Sequence, residues 1–155
     1  MPTALVRAER SQLSGETLQF MQRLWDLAHA LDVRSKRMAK HSGVTGPQRL
    51  VIRVLGQRPG MTASEISRTL GMHPSTLTGI LARLKRKGAI ERKIDALDRR
   101  RVRLRLTARG AQIDRDRKGT VEAAVRRALG RANDTTIDVV TMMLEALTQE
   151  LGRGE

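Results

Sequence analysis

Residues 61–110, MTASEISRTLGMHPSTLTGILARLKRKGAIERKIDALDRRRVRLRLTARG, determine the fold of this chain. Thr62 followed three residues later by Glu65 is a capping box, which predicts the start of a short helix. Gly71 supplies a left-handed turn, and Pro74 suits the first position of a second helix. The second helix places apolar residues inward at helical spacing, namely Leu77, Ile80, Leu81 and Leu84. Two short helices, a tight turn and a polar outer face indicate a helix-turn-helix.

After Gly88 the apolar spacing changes from a helical period to a period of two. Residues 89–94 and 101–106 are predicted strands, and residues 95–100 join them as a hairpin with a basic tip. In the second strand three apolar side chains alternate with three arginines and are expected on one face, namely Val102, Leu104 and Leu106. A two-stranded hairpin directly after the second helix of a helix-turn-helix is a wing.

The flanking helices have too much apolar surface for a monomer. Residues 14–40 are predicted to form a helix with two apolar stripes, and residues 1–13 are expected to form a flexible arm. A helix from Thr107 to about Leu129 and a last helix capped by Asn133 or Asp134 follow the wing. The sequence therefore predicts a mainly α protein with a small β-wing, in which a winged helix-turn-helix domain (45–110) lies between dimerisation helices (14–40 and 120–152).

Composition narrows the class of partner. Lys and Arg number 30 against 16 for Asp and Glu, a formal charge of +14, which favours binding to polyanions. Aromatic residues make up 1% of the chain, and base stacking on aromatic rings is the usual way to hold single strands, so duplex DNA is the expected ligand. No long apolar run predicts membrane insertion. The chain has no cysteine, and we expect a cytoplasmic protein.

Several motifs in order resemble the MarR family of transcriptional regulators. They are the turn and second helix at 70–78, the helix end and first wing strand at 81–92, the Asp-x-Arg of the wing at 98–100, and the Leu-Thr-x-x-Gly at 106–110. The resemblance implies a homodimer whose terminal helices interlock and whose winged domains each bind half of a pseudo-palindrome. It also implies repression, and release of DNA when a small phenolic or other anionic ligand enters a crevice. Without cysteine, the peroxide-sensing branch of the family is excluded.

The candidate DNA contacts lie on the second helix and at the wing tip. Small hydroxyl residues approach base edges closely, and arginines suit a narrow minor groove. Between residues 83 and 105 there are 11 Lys or Arg and three acids. The predicted helix contacts are His73, Pro74, Ser75, Thr76, Thr78 and Arg83; the predicted wing contacts are Arg99, Arg100 and Arg101, with Asp98 as a brace that pairs with an arginine. Alternatively, Ser75 and Thr76 only cap the helix, and His73 is an N-cap or a phosphate contact.

Other functions have weaker support in the sequence. Trp25 and His29, one helical turn apart, are candidates to bind a small anionic or aromatic effector, although both also suit a dimer core. The three histidines have no metal-ligand spacing, so neither a metal nor another cofactor is expected. No catalytic motif is present, so we predict no enzyme. The alternative to a ligand-controlled regulator is a constitutive or architectural DNA-binding protein.

Overall fold

A computed structural model describes the backbone of residues 3–153 and the side chains of residues 15–153. In chain order the elements are α1 (Thr3–Ser42), α2 (Gly46–Gln57), α3 (Ala63–Leu70), α4 (Pro74–Arg86), β1 (Ile90–Ile94), β2 (Val102–Leu106), α5 (Ala108–Arg115), α6 (Val121–Leu129) and α7 (Asp134–Gly152). The two strands pair in an antiparallel sheet. This mainly helical architecture with a small β-wing confirms the predicted fold class. The chain divides into two compact units, the first ending at Asp116 and the second beginning at Arg117.

The core of the first unit lies among α2, α3, α4 and the base of the wing. Each helix contributes its apolar stripe, as the sequence spacing predicts. The end of α1 joins this unit through Met38, which is buried, and through the Ser35 hydroxyl, which accepts a 2.8 Å hydrogen bond from the Gly46 N–H. The buried cluster is Val44, Val51, Ile52, Leu55, Met61, Ile66, Leu77, Ile80, Leu81, Leu84, Ala89, Ile90 and Leu104.

The wing is attached to this core at its base only. Leu104 is buried and bridges to the chain before α3, since its N–H donates to the Met61 carbonyl at 2.9 Å and its carbonyl accepts from the Gly60 N–H at 2.9 Å. Val102, predicted on the same face, is 42% exposed and pairs with Ile94. The hairpin therefore extends past the core, and its outer half faces solvent.

The segment after the wing corrects one sequence-based boundary. A single helix was expected from Thr107 to about Leu129, whereas the structure contains α5 and α6 with a break between them. α5 ends at Arg115, because Asp116 adopts an extended conformation with ψ 105°, and Gly119 lies in the connecting segment with a left-handed φ of +72°. The Thr120 hydroxyl then accepts a hydrogen bond from the Ala123 N–H at 3.3 Å and begins α6.

The first helix begins earlier than expected. It was predicted from residue 14, after a flexible arm at 1–13, but its backbone is helical from Thr3. No glycine or proline lies between residues 3 and 14, so nothing in that stretch opposes a helix. Residues 1–2 of the predicted arm, and the side chains of 3–14, lie outside the described residues.

The second unit comprises α6 and α7. The Asn133 carboxamide accepts from the Thr136 N–H at 2.8 Å, so Asn133 is the N-cap of α7, one of the two expected residues. No side chain within α6 or α7 is buried in this single chain. The large apolar residues exposed on them are Val125, Leu129, Val139, Val140, Met142, Met143, Leu144 and Leu151. Over the described residues, no helix is both long enough and apolar enough to span a bilayer.

Candidate nucleic-acid interface

Local hydrogen bonds fix the position of α3. The Thr62 hydroxyl accepts from the Glu65 N–H at 3.3 Å, while the Glu65 carboxylate accepts from the Thr62 N–H at 2.8 Å. This backbone hydrogen bond lowers the pKa of Glu65 below its ordinary value, so the carboxylate is ionised at the positive end of the helix. The predicted capping box is therefore present.

The turn between α3 and α4 is closed by backbone and side-chain hydrogen bonds. Gly71 has φ +60°, the left-handed conformation that the sequence predicts for it. The Met72 N–H donates to the Ser67 carbonyl at 3.1 Å, and the Ser67 hydroxyl donates to the Met72 carbonyl at 2.6 Å. Closed in this way, the turn sets the direction of α4 relative to α3.

Two residues organise the first turn of α4. The imidazole Nδ1 of His73 accepts from the Ser75 N–H at 3.2 Å and lies 2.7 Å from the Ser75 Oγ, so His73 is the N-cap. Pro74 occupies the first helical position. His73, Pro74 and Ser75 are all exposed. The Ser75 hydroxyl is therefore engaged in capping, although its side chain remains accessible at the helix start.

The outer face of α4 presents small polar groups and one arginine. Thr76, Thr78 and Arg83 are exposed, while the four leucine and isoleucine positions predicted to face inward are buried. The Thr78 hydroxyl donates to the Pro74 carbonyl at 2.8 Å. Among the described residues, the Thr76 hydroxyl has no hydrogen-bond partner. Thr76 thus has a free donor and acceptor on this face, whereas the hydroxyl proton of Thr78 is already used.

Two aspartates accept hydrogen bonds from the backbone of the wing tip. Asp95 Oδ1 accepts from the backbone N–H groups of Leu97, at 2.8 Å, and Asp98, at 3.3 Å, and Asp95 Oδ2 accepts from the Arg103 guanidinium. The Leu97 hydrogen bond, followed by that from Arg103, lowers the pKa of Asp95 to about 2. Sequence reasoning did not identify Asp95 as a structural residue, although an Asp two residues before a turn amide is a known turn signal.

Asp98 links the tip to the following arginines. Its Oδ1 accepts from the Arg100 N–H at 3.0 Å, and its Oδ2 lies 3.6 Å from the Arg101 Nε. This is the geometry expected of the predicted brace. Arg99, Arg100 and Arg101 are all exposed, and neither Arg99 nor Arg100 has an ion-pair partner among the described residues. Contact of these arginines with DNA remains a prediction.

Open grooves flank α3 and α4, and two of them are lined by predicted DNA contacts. One, of about 420 Å³, lies between the start of α3 and the wing, and its lining includes Arg68, Arg100 and Arg101 with Glu65 as its single acid. The other, of about 390 Å³, lies between the start of α2 and α4; it contains no acid and is lined by Thr45, Pro47, Gln48, Ser75, Thr76, Gly79, Ile80 and Arg83. Shallow basic grooves of this kind suit a phosphate backbone.

The two residues predicted to bind an effector lie elsewhere in the first unit. Trp25 is 62% exposed on α1, and His29, one turn later, is exposed as well. Neither lines the grooves described above. The predicted effector-binding residues are therefore separate from the grooves that the predicted DNA contacts line.

In the described residues, no group of three or more His, Asp or Glu side chains could hold a metal ion.

The sequence and the fold are both similar to known regulators. Residues 42–101 match the model of the MarR family. The chain is 30% identical to the HTH-type transcriptional repressor Rv2887 of Mycobacterium tuberculosis over 105 residues, 68% of this chain and 76% of that protein. It is 32% identical to the HTH-type transcriptional regulator TtmR of Methylorubrum extorquens over 120 residues, 77% of this chain and 59% of that protein.

Solved structures show the same fold. FabT of Streptococcus pneumoniae, in complex with DNA, superposes with a TM-score of 0.62 at 27% identity, covering 89% of this chain and 96% of FabT. MepR of S. aureus, also in a DNA complex, superposes with a TM-score of 0.69 at 19% identity, covering 85% of this chain and 97% of MepR. At that lower identity the second comparison shows the fold alone.

Proposed function

Because the chain belongs to the MarR family of winged helix-turn-helix transcriptional regulators, we propose that it binds a pseudo-palindromic operator in duplex DNA as a homodimer and represses transcription there. One observation carries the proposal. The exposed outer face of α4, where the Thr76 hydroxyl is free, lies in the same compact unit as the wing tip. At that tip, Arg99 and Arg100 have no ion-pair partner among the described residues. A recognition helix and a charged wing together match the two grooves of a duplex.

The recognition helix and the wing would read different features of DNA. In the major groove, the Thr76 hydroxyl can donate to or accept from base edges, and Arg83 can donate to a guanine or a phosphate. In the minor groove, Arg99 and Arg100 match the negative potential of narrow A·T-rich segments. The helix N-terminus at residues 73–75 suits a phosphate beside the major groove. Sequence preference would therefore come mainly from α4.

Dimerisation accounts for the exposed apolar surface at both ends of the chain. On α1, Trp25 is 62% and Leu18 is 61% exposed; on α7, Met142 is 67% and Leu151 is 77% exposed. The exposed apolar side chains are repeated along two helices, whereas a monomer usually exposes such residues singly. A second copy would cover them and would place two recognition helices about 34–36 Å apart, one turn of duplex.

Control by a small effector is a separate part of the proposal. Trp25 offers an indole face and His29 a ring nitrogen one helical turn away, which together suit a planar anionic or aromatic molecule. Such an effector would release DNA only if it bound one spacing of the two winged domains more tightly than the other. A coupling of about 1–3 kcal/mol would suffice. The proposed place of action is the cytoplasm, on chromosomal DNA.

The decisive experiment selects duplexes from a random pool with the purified protein and maps the bound site by footprinting. A regulator yields one short pseudo-palindrome and protects only that site. An architectural DNA-binding protein, the second candidate favoured by the +14 charge, protects DNA of any sequence. Failure to enrich any motif would contradict the proposed function.

Two further measurements test the dimer and the effector. Sedimentation at micromolar concentration should give a dimer, and a folded monomer would contradict this architecture. A panel of phenolic acids should quench the emission of Trp25, the single tryptophan, and release operator DNA. The control is the same titration of a Trp25→Phe variant, with DNA release as its only readout. It distinguishes binding of the compound from optical artefacts in the tryptophan emission. If no compound perturbs either signal, the protein is a constitutive DNA binder.

A further inference from the structure

The tip of the wing carries an apolar side chain that the rest of the described chain does not cover. Leu97 is 99% exposed, although it lies in the most basic part of the sequence. Behind it, the cross-strand partners Ile94 and Val102 are 69% and 42% exposed. The outer half of the hairpin is thus apolar as well as basic. The basic residues alone would keep it soluble, so solubility does not explain the apolar ones.

Hydrogen bonds on both sides hold Leu97 in this position. Its own N–H donates to Asp95 Oδ1, and the Asp95 N–H donates to the Arg101 carbonyl at 2.9 Å. The Arg101 N–H in turn donates to the Asp98 carbonyl at 2.9 Å. Because these contacts already order the backbone of the loop, placing Leu97 against a ligand costs little backbone conformational entropy.

We propose that Leu97 is an apolar contact to the minor groove of duplex DNA, placed beside the charged contacts of Arg99 and Arg100. The inference rests on the proposed function and adds a contact that does not depend on charge. Apolar side chains beside arginines are a recurrent means of binding the minor groove, whose walls are deoxyribose. A duplex fits this tip better than an apolar protein surface does. The protein surface would bury the neighbouring guanidinium groups without partners, whereas the duplex offers them phosphates.

The test compares Leu97→Ala with Leu97→Met, Leu97→Gln and Arg100→Ala on the selected duplex. Leu97→Ala and Leu97→Gln should weaken binding about tenfold, as the loss of a partly buried leucine predicts, whereas Leu97→Met should retain most of the affinity. The Leu97 side chain is almost fully exposed, so thermal unfolding should be unchanged. The slope of log Kd against log salt should remain that of the wild type for every Leu97 variant and should fall for Arg100→Ala.

Hydroxyl-radical footprinting supplies a second readout because it reports on minor-groove deoxyribose. Leu97→Ala should lose protection where the wing contacts the duplex and keep the protection due to α4. Unchanged affinity and footprint for Leu97→Ala, while the wild type binds, would overturn this inference alone. A change in sedimentation of Leu97→Ala instead would assign Leu97 to contacts between copies and overturn it too. A wild-type chain that binds no duplex would overturn the proposed function together with the inference.

Discussion

Asp98 holds the backbone of Arg100, because its Oδ1 accepts the Arg100 N–H at 3.0 Å while its Oδ2 lies 3.6 Å from the Arg101 Nε. The Arg101 and Asp98 side chains are 58% and 49% exposed, so the ion pair itself contributes little stability. The main effect of the Asp98 carboxylate is therefore to fix the position of its neighbours. It orients the tip rather than strengthening the fold.

Replacement of Asp98 should separate orientation from charge. Asp98→Ala removes the acceptor, so discrimination between operator and random duplex should fall by about fivefold, within the range of a single interface hydrogen bond. Affinity for random DNA should rise or stay constant, because the variant has one acid fewer. Asp98→Asn keeps an oxygen acceptor for Arg100 and should retain discrimination. Competition binding of the three proteins on both duplexes measures this, and equal losses in both variants would contradict the brace.

Arg100→Ala should weaken operator binding and lower the salt slope by about one for each phosphate that a wing no longer neutralises. The fold should be unaffected, since the exposed Arg100 side chain has no partner in the described part of the chain. Arg115→Ala, an exposed arginine on α5, is the charge-matched control and should leave the slope nearly unchanged. Fluorescence anisotropy across a salt series gives both slopes. Equal slopes for Arg100→Ala and the wild type would remove the wing from the mechanism.

The two threonines on the outer face of α4 should differ in what they contribute. Thr76→Val deletes a free hydroxyl, so it should cost about 1–3 kcal/mol of discrimination at one base pair. Thr78→Val deletes a hydroxyl that already donates to Pro74 and keeps a methyl group for thymine, so its effect should be smaller. Repeating the duplex selection with each variant tests this. The same selected motif for Thr76→Val and the parent would show that Thr76 only shapes the helix.

Local signals allowed most of the winged domain to be predicted from the sequence. The capping box at Thr62 and Glu65, the glycine turn at Gly71 and the period-two strands act over a few residues, and the structure contains each of them. The break after α5 was missed because apolar spacing alone does not mark the end of this helix at Arg115. A glycine followed by the N-cap residue Thr120 was the signal available there.

Interactions between distant segments could not be predicted from the sequence. Arg49 lies in α2 and is only 1% exposed, a burial that the sequence around it does not indicate. Its partners are backbone carbonyls of α5, more than sixty residues later in the chain. Likewise the hydrogen bond of Thr78, which leaves Thr76 as the free hydroxyl, depends on side-chain rotamers that composition does not specify.

The low pKa of Asp95 predicts an acid-dependent contribution to stability. Its pKa in the fold is about 2, below the ordinary value of 3.8, so Asp95 stabilises the folded state fully above about pH 4. As pH falls from there through about 2, this contribution should disappear. Asp95→Ala should therefore be less stable than the wild type near neutral pH, and the difference should shrink in acid. Asp95→Asn, which keeps an acceptor for Leu97 but loses the Arg103 pair, should be intermediate. Urea unfolding across this pH range measures the difference, and a constant difference would contradict the assignment.

Arg49 should be the most costly charged residue to replace. Its Nη1 donates to the Ile113 carbonyl at 2.5 Å and its Nη2 to the Asp114 carbonyl at 3.3 Å. Both carbonyls belong to the last turn of α5, where no intrahelical N–H remains to satisfy them. Arg49→Met keeps much of the apolar stem but leaves two carbonyls without these donors, a loss of about 2–4 kcal/mol in the free energy of unfolding.

The matched control for Arg49→Met is Arg53→Met, one turn later on α2. Arg53 donates to Asp114 Oδ1 at 2.6 Å, but the two side chains are 19% and 18% exposed, so water can solvate the carboxylate that Arg53→Met leaves behind. Its cost should be smaller than that of Arg49→Met. Urea denaturation followed by circular dichroism ranks the two. If Arg49→Met were within about 0.5 kcal/mol of the wild type, as surface substitutions usually are, Arg49 would not hold α5 against α2.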